Sequence, residues 1–234
     1  MNKKFIDACK EGNLEIAQQI LLLNPTIDVS ADDEYAFQMA CYYGHLHVAQ
    51  WLYQIKPTID VSASNERAFR LACYNGKLHV AQWLLQIKPT INVSAEDEYP
   101  FRLTCDYGQL HVAQWLLQIK PTINVSADNE HAFRMACYNG HLHIAQWLLE
   151  IKPTINISAY NECAFRRACN DGQLHVVWWL CSLNAFKYSI IENTKYIDYK
   201  IYTDHNKTML LYAIKGYNNI LTANLITTII KYVQ

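Results

Sequence analysis

Polar and apolar positions along this chain follow a helical beat that sounds twice, pauses and starts again. Over Asn65–Ala95 a polar start, Asn65-Glu66, leads into Ala68-Phe69-Arg70-Leu71-Ala72-Cys73 and stops at Gly76. An apolar face at helical spacing follows, carried by Leu78, Val80, Ala81, Leu84, Leu85 and Ile87. Lys88-Pro89 ends it, because the residue before proline avoids the helical region. Thr90-Ile91-Asn92-Val93-Ser94 is short and β-branched and reads as extended loop. The expected elements are helix, tight turn, helix and loop.

The same wording returns every 32 residues. Gly12, Gly44, Gly76, Gly108, Gly140 and Gly172 keep this spacing, as do Cys9, Cys41, Cys73, Cys105, Cys137 and Cys169 and six phenylalanines from Phe5 to Phe165. A fixed period of this size means stacked repeats, each burying its apolar face against its neighbours. The expected fold class is all-α: an α-solenoid of helix-turn-helix repeats.

Residues 1–35 read as an amino-terminal capping repeat. Lys3, Lys4, Lys10 and Glu11 make it more polar, and Gln19 stands where later repeats carry Trp51, Trp83, Trp115 and Trp147. Residues 36–183 hold four full repeats and a sixth, divergent one. First helices are expected to start near Asp33, Asn65, Asp97, Asn129 and Asn161, whose side chains suit the N-cap. A glutamate follows each (Glu34, Glu66, Glu98, Glu130, Glu162), where negative charge favours the first turn. Each glycine suits a left-handed C-terminal cap. Residues 184–234 break the period and read as an irregular insert and a carboxy-terminal capping repeat. Within them 184–207 is a hairpin or irregular insert, 208–216 resumes a helix–glycine pattern, and 220–233 is a last helix.

These residues resemble ankyrin repeats. Ala68 to Leu85 fills the helical part of that family's unit, and Thr90-Ile91-Asn92-Val93-Ser94-Ala95 its loop tail. The resemblance covers residues 1–181 well and 203–233 weakly. The family's Thr-Pro is replaced by a variable residue and alanine, and its histidine by Arg70, Arg102, Arg134 and Arg166. The loop before the first helix is about three residues short of the family pattern, which should blunt the projecting β-hairpin finger. This variant is similar to ankyrin proteins encoded in large numbers by giant DNA viruses of amoebae. The resemblance implies a protein-binding module that works through its concave groove.

Composition narrows the function. Of 234 residues, 51% are hydrophobic, and 20 basic residues face 21 acidic ones for a net charge of -1. Such balance gives no electrostatic reason to expect nucleic acid or an anionic membrane as partner. The longest apolar runs, such as Ile20–Leu23, are too short to cross a bilayer. An acidic residue, Asp7, interrupts the start before any signal-peptide core forms. The once-per-repeat cysteines read as buried thiols, since stacked helices lie about 8–10 Å apart and a disulfide needs closer approach. A reducing, cytoplasmic setting fits, in a host cell if the source is viral. Asn92-Val93-Ser94, Asn124-Val125-Ser126 and Asn156-Ile157-Ser158 match the glycosylation pattern, which has no meaning without secretion.

Three ladders invite chemistry. Glu66, Glu98, Glu130 and Glu162 precede Arg70, Arg102, Arg134 and Arg166 by four residues, the favourable helical ion pair. A structural charge ladder is the stronger reading. A guanidinium row for an acidic partner is the sharper one, and the paired glutamates count against it. His47, His79, His111, His143 and His175 stand one per repeat, too far apart to share a zinc ion. No metal or cofactor is expected, and the tryptophans read as core. No nucleophile–base pair, carboxylate dyad or phosphate loop is evident, so a non-enzymatic role is expected.

The informative positions are those where the repeats disagree. One set precedes the glycine: Tyr42, Tyr43, Tyr74, Asn75, Asp106, Tyr107, Tyr138, Asn139, Asn170 and Asp171. The other flanks the cap: Asp32, Ser64, Glu96, Asp128 and Tyr160, with Tyr35, Arg67, Tyr99, His131 and Cys163. They match the ankyrin positions that line the groove and finger tips, and tyrosine suits such a face because it offers large contact area with few rotamers. The expected function is capture of another protein by a monomer. The alternatives are an adaptor recruiting host proteins to a ubiquitin ligase through 184–234, or a structural protein that self-associates. Alanine at Tyr42, Tyr43, Tyr74, Tyr107 and Tyr138 together should abolish capture and leave thermal melting nearly unchanged.

Overall fold

The structure is a computed structural model, and it describes residues 3–183, 198–204 and 207–213. The chain forms two compact bodies, residues 1–177 and 178–234. The described helices come in pairs: α1 (Lys3–Glu11) and α2 (Leu14–Leu23), α3 (Ala31–Tyr43) and α4 (Leu46–Ile55), α5 (Ala63–Tyr74) and α6 (Leu78–Ile87). Three more follow: α7 (Ala95–Asp106) and α8 (Leu110–Ile119), α9 (Ala127–Tyr138) and α10 (Leu142–Ile151), α11 (Ala159–Asn170) and α12 (Leu174–Ser182). Each pair is one repeat, numbered 1 to 6 below. Consecutive first helices pack directly on one another, whereas consecutive second helices stand farther apart. A stack that is tighter on one side curves toward it, so the first-helix layer is the inner one.

The glycine turn behaves as expected. Gly44 has φ +85°, and in repeat 3 the amide of Lys77 reaches the carbonyl of Ala72 at 2.8 Å while Gly76 N–H reaches Cys73. This double closure satisfies carbonyls that the helix end leaves open. The positive φ favours glycine there, and the Lys77 side chain of the next repeat lies 2.7 Å from where a Cβ would stand.

The core repeats letter for letter. Phe37, Phe69, Phe101 and Phe165 are fully buried, and Phe5 and Phe133 nearly or wholly so. Trp51 meets Phe5 of the repeat before at 6.3 Å between ring centroids, and Trp83, Trp115 and Trp147 meet Phe37, Phe69 and Phe101 in the same way. The tryptophans are therefore half-buried bridges between repeats rather than core residues. Gln19 stands at this bridging position in repeat 1. Cys9, Cys41, Cys73, Cys105 and Cys137 are free, buried thiols, and Cys169 is half-buried. Burial pushes the Cys9 thiol up to about 12 and those of Cys41 and Cys73 further in the same direction. They act as small apolar residues.

The start of the first helix differs from expectation. Asp33, Asn65, Asp97, Asn129 and Asn161 are not N-caps. Each is the middle of three residues with positive φ, such as Asp32, Asp33 and Glu34 at +55°, +55° and +64°. The shortened loop is taken up by a single left-handed turn, and no strand forms between the described repeats. Aspartate and asparagine tolerate this conformation better than other residues with a Cβ. The right-handed helix begins only after the glutamate. Pro100 agrees with that start, because it falls in the first right-handed turn of α7, where a missing amide costs no helical bond.

In the second body, β1 (Asp198–Asp204) pairs antiparallel with β2 (Lys207–Ala213), with Tyr199 opposite Tyr212 and Ile201 opposite Leu210. The helix expected from 208 onward is replaced by a strand through 213. Two facing segments rich in tyrosine, isoleucine and threonine favour pairing over helix. The hairpin alternative for the insert is realised over 198–204, and the last helix expected over 220–233 lies outside the described residues.

Candidate functional site

Left-handed backbone costs about 1–2 kcal/mol per residue for residues other than glycine, so three in a row must be offset. The arginine ladder offsets them. Arg102 donates Nε–H to the carbonyl of Asp97 at 2.8 Å and Nη2–H to that of Glu96 at 3.1 Å. Arg134 holds Asn129 and Asp128 at 2.7 and 3.0 Å, and Arg166 holds Asn161 and Tyr160 at 2.7 and 3.3 Å. Gln38 does part of the same work in repeat 2, at 2.5 Å from the Asp33 carbonyl. Among the described residues the expected Glu–Arg pair within a repeat does not close to 4.0 Å, because its spacing rule presumes one right-handed helix. The glutamates turn to the next repeat instead. Glu34, Glu98 and Glu130 accept from the amides of Asp60, Asn124 and Asn156 at 3.1, 3.2 and 3.2 Å.

The histidines tie repeats together as well. His47, His79, His111 and His175 donate Nε2–H to the carbonyls of Gly12, Gly44, Gly76 and Gly140 at 2.8–3.1 Å. The required tautomer is thereby set, and among the described residues no group of His, Cys, Asp and Glu could hold a metal. Lysines add ion pairs where the preceding loop offers an aspartate: Lys56 to Asp28 at 2.6 Å and Lys88 to Asp60 at 3.2 Å. Lys120 and Lys152 have Asn92 and Asn124 at that spacing.

On the inner layer the variable positions before the glycine meet across repeats. Tyr42 touches Tyr43 edge-on at 4.7 Å and lies 5.9 Å from Tyr74, which meets Tyr107 edge-on at 4.0 Å. Tyr43 and Tyr107 are 45% and 47% exposed, while Tyr42, Tyr74 and Tyr138 are half-buried and lie outside the core. Burial, and then hydrogen bonds with the Tyr107 and Tyr42 hydroxyls, push the Tyr74 phenol well above its usual value. Asn75 is half-buried and Asn139, Asn170 and Asp171 are exposed. Asn139 donates Nδ2–H to Asp106 Oδ1 at 2.7 Å. Asp106 is nevertheless held above the ordinary carboxylate range by burial, against the lowering effects of Asn139 and Arg167.

The set flanking the cap is joined by guanidinium and ammonium contacts. Lys10 lies 5.5 Å from the Tyr35 ring, and half-buried Tyr99 sits between Arg70 and Arg102 at 5.4 and 5.6 Å. Arg67 is exposed and His131 half-buried. Burial, and then the charges of Arg102, Arg134 and Arg167 against the opposing effect of Asp128, hold the His131 imidazole below its ordinary value. Cys163, expected among the variable surface positions, is buried and accepts from Arg134. One residue escaped the sequence reading. Arg167 stands where Met39, Leu71, Leu103 and Met135 stand in repeats 2 to 5, and it is exposed over the Tyr138 ring at 5.5 Å. The change from an apolar letter to arginine is the signal in the sequence that marks it.

Comparison with known proteins agrees with this architecture. A family model described as ankyrin repeats (3 copies) matches residues 5–97 and again 101–190. No curated protein matches the chain. Among solved structures, the crystal structure of the human ASB11 ankyrin repeat domain is similar at 16% identity, with a TM-score of 0.60, over 80% of this chain and 86% of that one. Likeness at that identity speaks for the fold alone. Together with the repeat geometry, the family match over most of its length shows that the chain belongs to the ankyrin repeat family.

Proposed function

We propose that this chain is a non-enzymatic scaffold that captures a partner protein on its inner-helix face. The observation that carries the proposal is the tyrosine series 42, 43, 74 and 107, which runs across three repeats at positions that the shared framework does not use. The repeated polar side chains are used mainly inside the stack: arginine on the left-handed turn, glutamate on the next loop, histidine on the glycine carbonyl. The tyrosines among the varied positions are partly exposed, and those at 42, 43, 74 and 107 pack ring against ring, so binding costs little side-chain entropy. Ankyrin repeats serve in general as protein-interaction modules, and the proposal places that role at Tyr42, Tyr43, Tyr74, Tyr107 and Tyr138 with Asn75, Asp106, Asn139, Asn170, Asp171, Tyr35, Arg67, Tyr99 and His131 beside them.

The chain would act as a monomer in the cytoplasm, with no nucleic acid or membrane partner. Among the described residues no helix is long and apolar enough to cross a membrane. The resemblance to repeats of giant amoebal viruses points the search toward host proteins. A ligase-adaptor role would rest on 184–234, most of which lies outside the described residues.

The test is a triple substitution, Y43A/Y107A/Y138A. Affinity capture from host lysate with mass spectrometry should lose its specific partner while circular dichroism shows a cooperative melt lowered by a few degrees. The earlier five-residue substitution would cost more, because Tyr42 and Tyr74 are packed and each aromatic contact is worth about 0.5–1.5 kcal/mol. Undiminished capture by the triple variant would falsify the assignment.

A further inference from the structure

Resting on that reading of the face, we propose that repeats 5 and 6 seat an acidic segment of the partner, with its carboxylates on Arg167 and with Arg134 and Arg166 behind them. The ladder itself points there. In repeats 3 and 4 the arginine uses Nε or Nη2 to hold the left-handed turn and Nη1 to reach a carboxylate of the next repeat. Arg70 Nη1 lies 3.8 Å from Glu96, and Arg102 Nη1 lies 2.8 Å from Asp128. In repeat 6 the corresponding residue is Tyr160. Arg134 therefore stacks on the Tyr160 ring at 4.9 Å, and among the described residues its Nη1 meets the Cys163 sulfur at 3.8 Å and no carboxylate. Arg134 is 6% exposed, so its charge is largely withdrawn from water with two carbonyls and a thiol as its hydrogen-bond partners. A buried cation gains most from an anion brought to it.

Arg167 adds a second charge at the same place. It replaces an apolar residue, is exposed, and donates Nη1–H to the Met135 sulfur at 3.7 Å. Among the described residues Arg134, Arg166 and Arg167 form no ion pair within 4.0 Å, in contrast to Arg70 and Arg102. Asp106 faces Arg167 and Glu162 faces Arg166 at longer range. Of the glutamates that argued against a guanidinium row, Glu98 and Glu130 are held by the amides of Asn124 and Asn156 on the neighbouring loops. His131 lies among Arg102, Arg134 and Arg167 with a buried Nδ1 that has no hydrogen-bond partner. Tyr138 and Tyr160, the latter 67% exposed, flank the cluster. One end of the face is thus neutral and aromatic and the other cationic and aromatic, which suits a segment with apolar residues followed by acidic ones.

The experiment selects random twelve-residue peptides, displayed on phage, against the immobilised full chain. Selected peptides should be enriched in aspartate and glutamate over the input library. Their affinity should fall about tenfold in R167Q and in Y160E, the loss expected for one hydrogen bond to a charged group. Y160E tests the idea without removing an arginine, because it restores the internal carboxylate that Arg70 and Arg102 have. Both substitutions lie at exposed positions, and circular dichroism confirms that each variant is folded. Selection of basic or uncharged peptides, or affinity indifferent to both variants, overturns the acidic reading. Loss of binding in Y43A/Y107A/Y138A without loss in R167Q sinks this inference alone. Equal binding by the tyrosine variant, or no selected peptide at all, sinks the groove reading beneath it.

Discussion

Repeats 3 and 4 and repeats 5 and 6 carry the same first-helix arginine in two electrostatic settings. In both regions the guanidinium clamps a left-handed turn through backbone carbonyls. In the first region the remaining donor closes on Glu96 or Asp128; in the second it reaches no carboxylate within 4.0 Å among the described residues. The difference separates two duties of one residue. Holding the turn is common to every copy and belongs to stability. The outward donor varies with the letter at the next cap and is open to recognition. A ladder that looks uniform in sequence is therefore uniform only on its inner side.

The largest effect should come from breaking what both regions share. Phe69→Ala removes a fully buried ring that also meets Trp115 of the next repeat. It should cost about 3–5 kcal/mol in denaturant unfolding and reduce cooperativity along the stack. A loss below about 1 kcal/mol would mean that the repeats do not depend on one another as described.

Next come the arginines, compared directly. Arg102→Ala removes two carbonyl bonds and a half-buried ion pair, and should cost about 2–3 kcal/mol. Arg166→Ala removes the carbonyl bonds but no ion pair within 4.0 Å among the described residues, and should cost less, about 1–2 kcal/mol. Urea titration of the two variants ranks them, and the reverse order would contradict the division of duties.

A pH titration separates the regions further. His131 and His141 are both held below the ordinary imidazole value, by burial first and then by neighbouring positive charge. The unfolded chain therefore binds protons before the folded one does. This contribution to stability is complete above the ordinary histidine value of about 6.5 and declines as pH falls through it toward the depressed native values. His131→Gln should flatten part of that slope in thermal melts, whereas an unchanged slope would remove His131 from the account.

The smallest effect is at the loops. Asn92→Asp should give Lys120 the pair that Lys88 makes with Asp60. A slight rise in Tm that disappears at about 1 M salt is expected, as for any largely exposed pair. A rise that survives salt would point to a different cause.

Much of this was legible in the letters. The period placed every described helix of the repeats, each glycine turn and each Lys-Pro stop, because glycine and proline act on φ and on hydrogen bonding in ways that neighbours seldom override. The left-handed turn was not legible. Asp33 or Asn65 before a glutamate is equally a good N-cap and a good left-handed residue, and only the shortened loop decides between them. That one ambiguity misdirected the arginines too, since Glu66 and Arg70 are helical neighbours only if both lie in one right-handed helix. The tyrosine positions could be found by comparing copies within the chain. Their ring contacts could not, because these depend on how closely the first helices stack. Over 208–213 a helical letter pattern yielded to a strand once 198–204 offered a facing partner.

The central claim is that shared positions build the stack and varied inner positions meet the partner. Its most direct measurement is photocrosslinking from a benzoylphenylalanine placed at Tyr107 or, in the same repeat, at exposed Gln118 on the second helix. The account predicts crosslinks to the captured partner from position 107 and none from 118. Crosslinks from 118, or equally from both, would contradict it.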